Sequence, residues 1–195
     1  MPFLETLPTP GPARTARILG AIATGNLDPV TWHEVPFAGG VLLVSARYLT
    51  IGGETVPMTG DVAQAAVDSL GAALPTVEVV DAIEAAPGCV VVPLRSQLPT
   101  GGEQGAAAFA RCEADTRAMF EARRVPTGAL VAGYRKDVVT PAPAGHVAIY
   151  GAVWPLGGRL QPYSTAHGIA FCDYSHGVRA ARGMAKARRY PPPRE

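Results

Sequence analysis

The stretch ALVAGYRKDVVTPAPAGHVAIYGAVWPLGGRLQPYS, residues 129–164, decides the fold class. Residues 129–139 and 146–154 are rich in Val, Ile, Tyr and Trp and are separated by a proline-containing loop, so both read as strands. Pro155-Leu156-Gly157-Gly158 makes the turn into a third strand at residues 159–164. Short returns of this kind join antiparallel neighbours, and the C-terminal part of the chain is therefore expected to be a mostly antiparallel sheet.

Helical patterns precede it. Pro12 opens a helix over residues 13–23, ended by Gly25-Asn26. Thr59 and Asp61 can cap a helix over residues 62–70, in which Val62, Ala65, Ala66 and Leu70 share a face. Residues 77–85 come after Pro75-Thr76 as a third helix, and residues 104–124 form the longest, stopped by Pro126-Thr127-Gly128. Residues 40–51 (GVLLVSARYLTI) read as a strand or hairpin arm, and the run CVVVP after Pro87 as a short buried strand. Helices first and an antiparallel sheet afterwards give an α+β fold class.

The length of 195 residues fits a single domain, 1–195, with an irregular N-terminal extension at residues 1–11 and a basic C-terminal tail at residues 180–195. Hydrophobic residues at 48% against charged residues at 17% rule out wholesale disorder. A formal charge of +1 argues against a dedicated nucleic-acid binder, so no specific nucleic-acid partner is expected. Residues 1–12 carry no basic segment followed by an apolar run, so no signal peptide is expected in this chain. Apolar runs such as residues 89–92 fall far short of the roughly 20 residues of a membrane span. Three cysteines (Cys89, Cys112 and Cys172) lack the paired spacing of a disulfide framework or a zinc ribbon and read as reduced thiols.

The densest polar cluster is Tyr163-Ser164-Thr165-Ala166-His167-Gly168, succeeded by Asp173-Tyr174-Ser175-His176-Gly177-Val178-Arg179. His167 and Asp173 would face one side of a regular strand. Asp173 and His176, three apart, would meet in a turn that Gly177 permits. A carboxylate beside an imidazole fixes its tautomer and raises its basicity, as a general base requires. The same residues could instead form a hydrogen-bonded turn in which Asp173 caps a helix C-terminal to it. A second group, Tyr134-Arg135-Lys136-Asp137, interrupts the apolar runs ALVAG and VV. Lys136 could stabilise an oxyanion or bind a substrate anion if its strand lies beside the His176 turn.

Three resemblances bear on this cluster. The segment Gly145-His146-Val147-Ala148-Ile149-Tyr150-Gly151 resembles the histidine strand of NlpC-type papain-like cell-wall peptidases. Those enzymes need a cysteine at a helix N-terminus, and the candidate, Cys112, sits inside the expected helix, where a thiolate lacks its usual stabilisation. His167 and Asp173 resemble, one residue out of register, the zinc pair of the D-Ala-D-Ala carboxypeptidase group, with His176 as a third ligand. The segments VPMTGDVAQAAVDSLGAALPTVEVVDAI, GALVAGYRKDVV, VAIYG, LQPYSTAHG and DYSHGVR resemble an uncharacterised family of bacterial and phage-borne proteins. That last resemblance covers about residues 56–179. It implies a secreted or phage-associated protein and moves weight from Cys112 and His146 to Lys136, His167, Asp173 and His176.

The expectation is a hydrolase acting on a cell-envelope or other extracellular polymer by His/Asp acid–base chemistry. His176 would be the general base, Asp173 its orienting carboxylate and His167 a second acid/base. Lys136 and Arg179 would bind substrate charge, with Tyr134, Tyr174 and Ser175 also contacting the substrate, polymeric or small. No cofactor is expected, with zinc as the open alternative. The rival is a non-catalytic binding or phage structural or assembly protein. Arg179, Arg182, Lys186, Arg188 and Arg189 read as a solvated basic face or as a contact for an anionic polymer.

Overall fold

The computed structural model describes residues 1–94 and 104–183. The tail beyond residue 183, with Lys186, Arg188 and Arg189, lies outside them, as does the end of the connection after Pro87. The fold is α+β. A 3₁₀ turn at Leu4–Thr6 leads to α1 (Pro12–Ala23), the hairpin β1 (Trp32–Phe37) and β2 (Gly40–Ser45), and the small β3 (Thr50–Ile51) and β4 (Glu54–Thr55). Then come α2 (Gly60–Ser69), α3 (Val77–Ala85), β5 (Val90–Val91) and α4 (Ala106–Ala122). The last elements of the described residues are β6 (Val131–Ala132), β7 (Lys136–Val139), β8 (His146–Val153), β9 (Arg159–Gly168), β10 (His176–Gly177) and β11 (Ala181–Arg182).

The main sheet has the order β10-β7-β8-β9, antiparallel except that β10 runs parallel to β7. Residues 129–139 are two strands rather than one, because Gly133, at φ +86°, turns the chain between β6 and β7. β6 pairs with β5, and only β7 joins the main sheet. Residues 40–51 are likewise divided. β2 ends at Ser45 and pairs on one side with β1, a strand the sequence pattern did not single out, and on the other with β11. Pro36 interrupts the apolar pattern of β1, which is an edge strand and tolerates its missing donor. Residues 1–11 are tied down at Leu4 and Leu7, both buried, and the Leu4 N–H donates to the Glu54 carboxylate at 2.8 Å.

Strand alternation gives the main sheet two different faces. Val138, Val147 and Ile149 pack into the core with Ile18, Ile22, Val62, Ala66 and Phe109 of α1, α2 and α4. Val139 and Ala148, on the other face, meet Val80 of α3. The register His176↔Lys136 puts these two residues on the Val138 face, and Gly177↔Asp137 puts those two on the opposite face. Glu113 breaks the apolar stripe of α4 with a buried carboxylate, which Arg135 meets at 3.0 Å and Arg117 at 3.3 Å.

Gly177 is packed directly against a ring. A Cβ placed there would lie 2.6 Å from Tyr48 Cδ1, and Tyr48 is itself buried. The tyrosine cannot swing aside, because its hydroxyl donates to Asp137 Oδ2 at 2.7 Å and its ring contacts Arg179 and Tyr134. Gly177→Ala should therefore destabilise the protein by about 1–3 kcal/mol, the usual cost of overpacking. Urea denaturation measures it, and a loss below about 0.5 kcal/mol would contradict the close approach.

Candidate functional site

The residues that come together on the Val138 face are Lys136, Asp173, Ser175 and His176. After β9 the chain leaves the sheet at Gly168, crosses a short turn and returns as β10. The return begins as an Asx turn, in which Asp173 Oδ1 accepts the Ser175 N–H at 2.8 Å and the Ser175 hydroxyl at 2.5 Å. The other carboxylate oxygen accepts from Lys136 Nζ at 3.2 Å. His176 Nε2 lies 3.9 Å from Asp173 Oδ1, close enough for charge to matter and too far for a hydrogen bond. The His176 side chain is 0% exposed, and among the described residues neither ring nitrogen has a partner in hydrogen-bond geometry, although the Met58 backbone is close enough to favour the charged ring. Lys136 is the most exposed member, with 17% of its side chain reaching solvent against 9% for Asp173.

Spacing along a continuous strand does not bring His167 to this group. β9 carries register shifts, pairing Ile149 with Ser164 and Val147 with His167. The extra residue of the bulge puts both on the Val147 face. His167 then stacks on Phe171, ring centroids 3.8 Å apart and planes at 12°. Phe171 in turn meets His176 edge to face at 5.8 Å. Phe171 was not among the expected site residues. Its signal was only its place between the two histidines.

Arg179 is not part of this group. Three residues after His176, alternation sends it to the opposite face, where its Nε is 3.3 Å from Asp137 Oδ1. Tyr134 is buried too, its hydroxyl accepting the Tyr48 N–H at 3.2 Å and its ring lying between Tyr48 and Phe120. Tyr174 is half-buried, and its carbonyl accepts a hydrogen bond from Arg135. Ser175 serves Asp173. Cys112 is buried well inside α4, while the His146 ring is exposed and its Nδ1 lies 2.8 Å from the Thr165 carbonyl. Among the described residues no group of three or more His, Cys, Asp or Glu side chains is arranged to hold a metal ion. An open groove of about 740 Å³ lies elsewhere, between Phe3, the end of α1 and Ile51-Gly52, and includes Arg17 and Asp28. No helix of the described residues is long and apolar enough to cross a membrane.

The electrostatics of the group are set by burial. Burial drives the His176 imidazole down from its ordinary 6.5 to about 4, with help from the Lys136 charge. Asp173 and the Met58 backbone pull the other way and are outweighed. Burial alone would raise Asp173, but His176, Lys136 and the two Ser175 donors outweigh it and hold the carboxyl below its ordinary range. Because His176 is neutral at pH 7, Lys136 and Ser175 are the partners that keep Asp173 ionised there. Across the sheet, burial pushes Asp137 up to about 6 despite Arg179 and Tyr48.

Comparison with protein-family models, with curated proteins and with solved structures gives no match to this chain.

The sign of each pH effect is set by these shifts. His176 contributes stability that is full above about 6.5 and is lost as pH falls through about 4. Asp173 contributes stability present above 3.8 and lost as pH falls through its lower folded value. Asp137 acts in reverse, its contribution being present below 3.8 and lost as pH rises through about 6. The opposed windows overlap, so global stability is a poor reporter and the ring itself should be monitored. In an NMR titration the His176 ring signals should keep their neutral-form positions from pH 8 to pH 5 and move only near pH 4. A midpoint at or above 6 would overturn the buried neutral assignment.

Proposed function

We propose that the protein is a hydrolase in which His176 is the general base and Asp173 its charge partner. The observation that carries this reading is the buried neutral imidazole whose ring nitrogens find no partner in hydrogen-bond geometry among the described residues, beside a carboxylate that is itself held ionised. Leaving a buried polar group without a hydrogen bond costs stability, so a fold that keeps one calls for an explanation. A neutral imidazole at pH 7 can take the proton of an attacking water as its oxygen bonds to the scissile centre. The imidazolium so formed gains the attraction of Asp173, and it returns the proton to the leaving group as that bond breaks. Lys136, partly exposed, is the group available to an anionic substrate moiety or a developing oxyanion. A cell-envelope or other extracellular polymer as substrate is part of this reading; the resemblance of the GALVAGYRKDVV, VAIYG and DYSHGVR segments supports only a secreted or phage-associated setting for it. The reading includes no metal step.

A second reading, a non-catalytic binding or phage structural or assembly protein, is favoured by one specific observation. Four of the polar residues expected to meet substrate (His176, Ser175, Tyr134 and Arg179) are buried.

Release of soluble fragments from dye-labelled cell-wall sacculi and from a panel of polysaccharide and peptide polymers separates the two. The hydrolase reading expects turnover in the native protein. It also expects a loss on the order of a hundredfold or more in His176→Gln, with an unchanged circular dichroism spectrum, and a smaller loss in Asp173→Asn. Full activity in a folded His176→Gln protein, or no turnover of any polymer by the native chain, would sink it.

A further inference from the structure

His176 is sealed from water, yet a general base must come within hydrogen-bond reach of the proton it takes. Phe171 is the aromatic ring that separates it from His167. The phenyl group is half-buried, with its edge-to-face contact to His176 on one side and the parallel ring of His167 stacked on the other. The backbone around it is anchored unevenly. The Ile169 N–H donates to the Gly145 carbonyl at 2.8 Å, and the Ile169 carbonyl accepts from the Gly60 N–H at 3.1 Å. On the far side Asp173 is held by Ser175 and Lys136. Between these anchors stand the exposed Ala170, Phe171, whose N–H donates to the Gly168 carbonyl at 2.9 Å, and the buried Cys172.

We infer that Phe171 is a gate over His176 and that His167 is the residue that holds the gate shut by stacking on it. The inference rests on the reading of His176 as the reactive base, and it assigns His167 a positioning role. Rotation of one side chain between two fixed anchors would uncover the imidazole without disturbing Asp173, Ser175 or Lys136. The energetics favour a device that opens. In the closed state neither imidazole nitrogen has a partner in hydrogen-bond geometry among the described residues, the Met58 backbone being only a neighbour, and opening lets water or substrate supply one. Stacking of aromatic rings is weak enough to be broken by substrate contacts and strong enough to keep the ring covered without them.

Carbethoxylation by diethyl pyrocarbonate tests this on the whole chain at pH 7, with no need for a substrate. His167 and His176 share one tryptic peptide, ending at Arg179, so the sites are resolved by fragment-ion mass spectrometry. In the native protein His176 should react at least tenfold more slowly than the exposed His146. Phe171→Ala should raise the His176 rate at least tenfold and leave His146 unchanged, and His167→Ala should give an intermediate increase. If Phe171→Ala does not fold, Phe171→Leu, which keeps apolar volume without the stack, together with His167→Ala decides the matter. A His176 rate in the native protein equal to that of His146 would overturn the gate. So would an unchanged His176 rate in the folded variants. An opened gate in a protein that hydrolyses nothing would keep this inference and remove the hydrolase reading.

Discussion

The rest of the structure depends on the guanidinium of Arg179. Its three nitrogens reach three separate strands: Nε toward Asp137 in β7 at 3.3 Å, one terminal nitrogen to the Ser45 carbonyl of β2 at 2.7 Å, and the other to the Val131 carbonyl of β6 at 2.7 Å. The ring of Tyr48 lies beneath the cation, 4.5 Å away. Burial works against the charge of Arg179, but Asp137 and the two tyrosines outweigh it and keep the group protonated. A desolvated pair of this kind adds little net stability, yet removing one partner costs about 3–5 kcal/mol because the other is stranded. Its main effect is positional. Three sheets that share no strand meet at one side chain, and β10 is set against β7 in the register that satisfies it.

That register has a consequence on the other face. With Asp137 and Arg179 committed to one side of the sheet, alternation places Lys136, His176 and Val178 on the other. Val178 completes the core beside Val138, and Lys136 and His176 converge on Asp173. The two polar groups are therefore products of the same pairing but differ in how well they are satisfied. Both Asp137 oxygens and all three Arg179 nitrogens have partners. His176 has none in hydrogen-bond geometry at either ring nitrogen among the described residues. The satisfied group thus holds the less satisfied one in place, and the proposed chemistry rests on the latter.

The same low-polarity surroundings explain why Asp137 and His176 shift in opposite directions. Burial disfavours charge on each, raising the carboxyl and lowering the imidazole. Asp137 still carries its charge at neutral pH because Arg179 and Tyr48 compensate it. No partner compensates the imidazole fully, since Asp173 stands at 3.9 Å and is already engaged by Lys136 and Ser175. The contrast comes from partners rather than from depth.

Periodicity in the sequence by itself determined the helices, the β8–β9 hairpin and the α+β class, because apolar spacing and proline or glycine punctuation are local signals. Residues 77–85 were legible as a helix to the residue. The nearness of Asp173 to His176 was also legible, since three residues and a turn suffice. Which polar residues share a site was decided only by tertiary structure. Lys136 and Asp137 are neighbours in sequence and face opposite ways, and so do His176 and Arg179. Strand alternation could have suggested that split, but only once β10 was known to pair with β7, and pairing between residues some 40 apart leaves no local trace. Glu113 did leave one, as a carboxylate on the apolar stripe of α4. Tyr48 left none and Phe171 only its place between two histidines, because an aromatic side chain looks the same in sequence whether it fills a core, supports a glycine or stacks on a histidine.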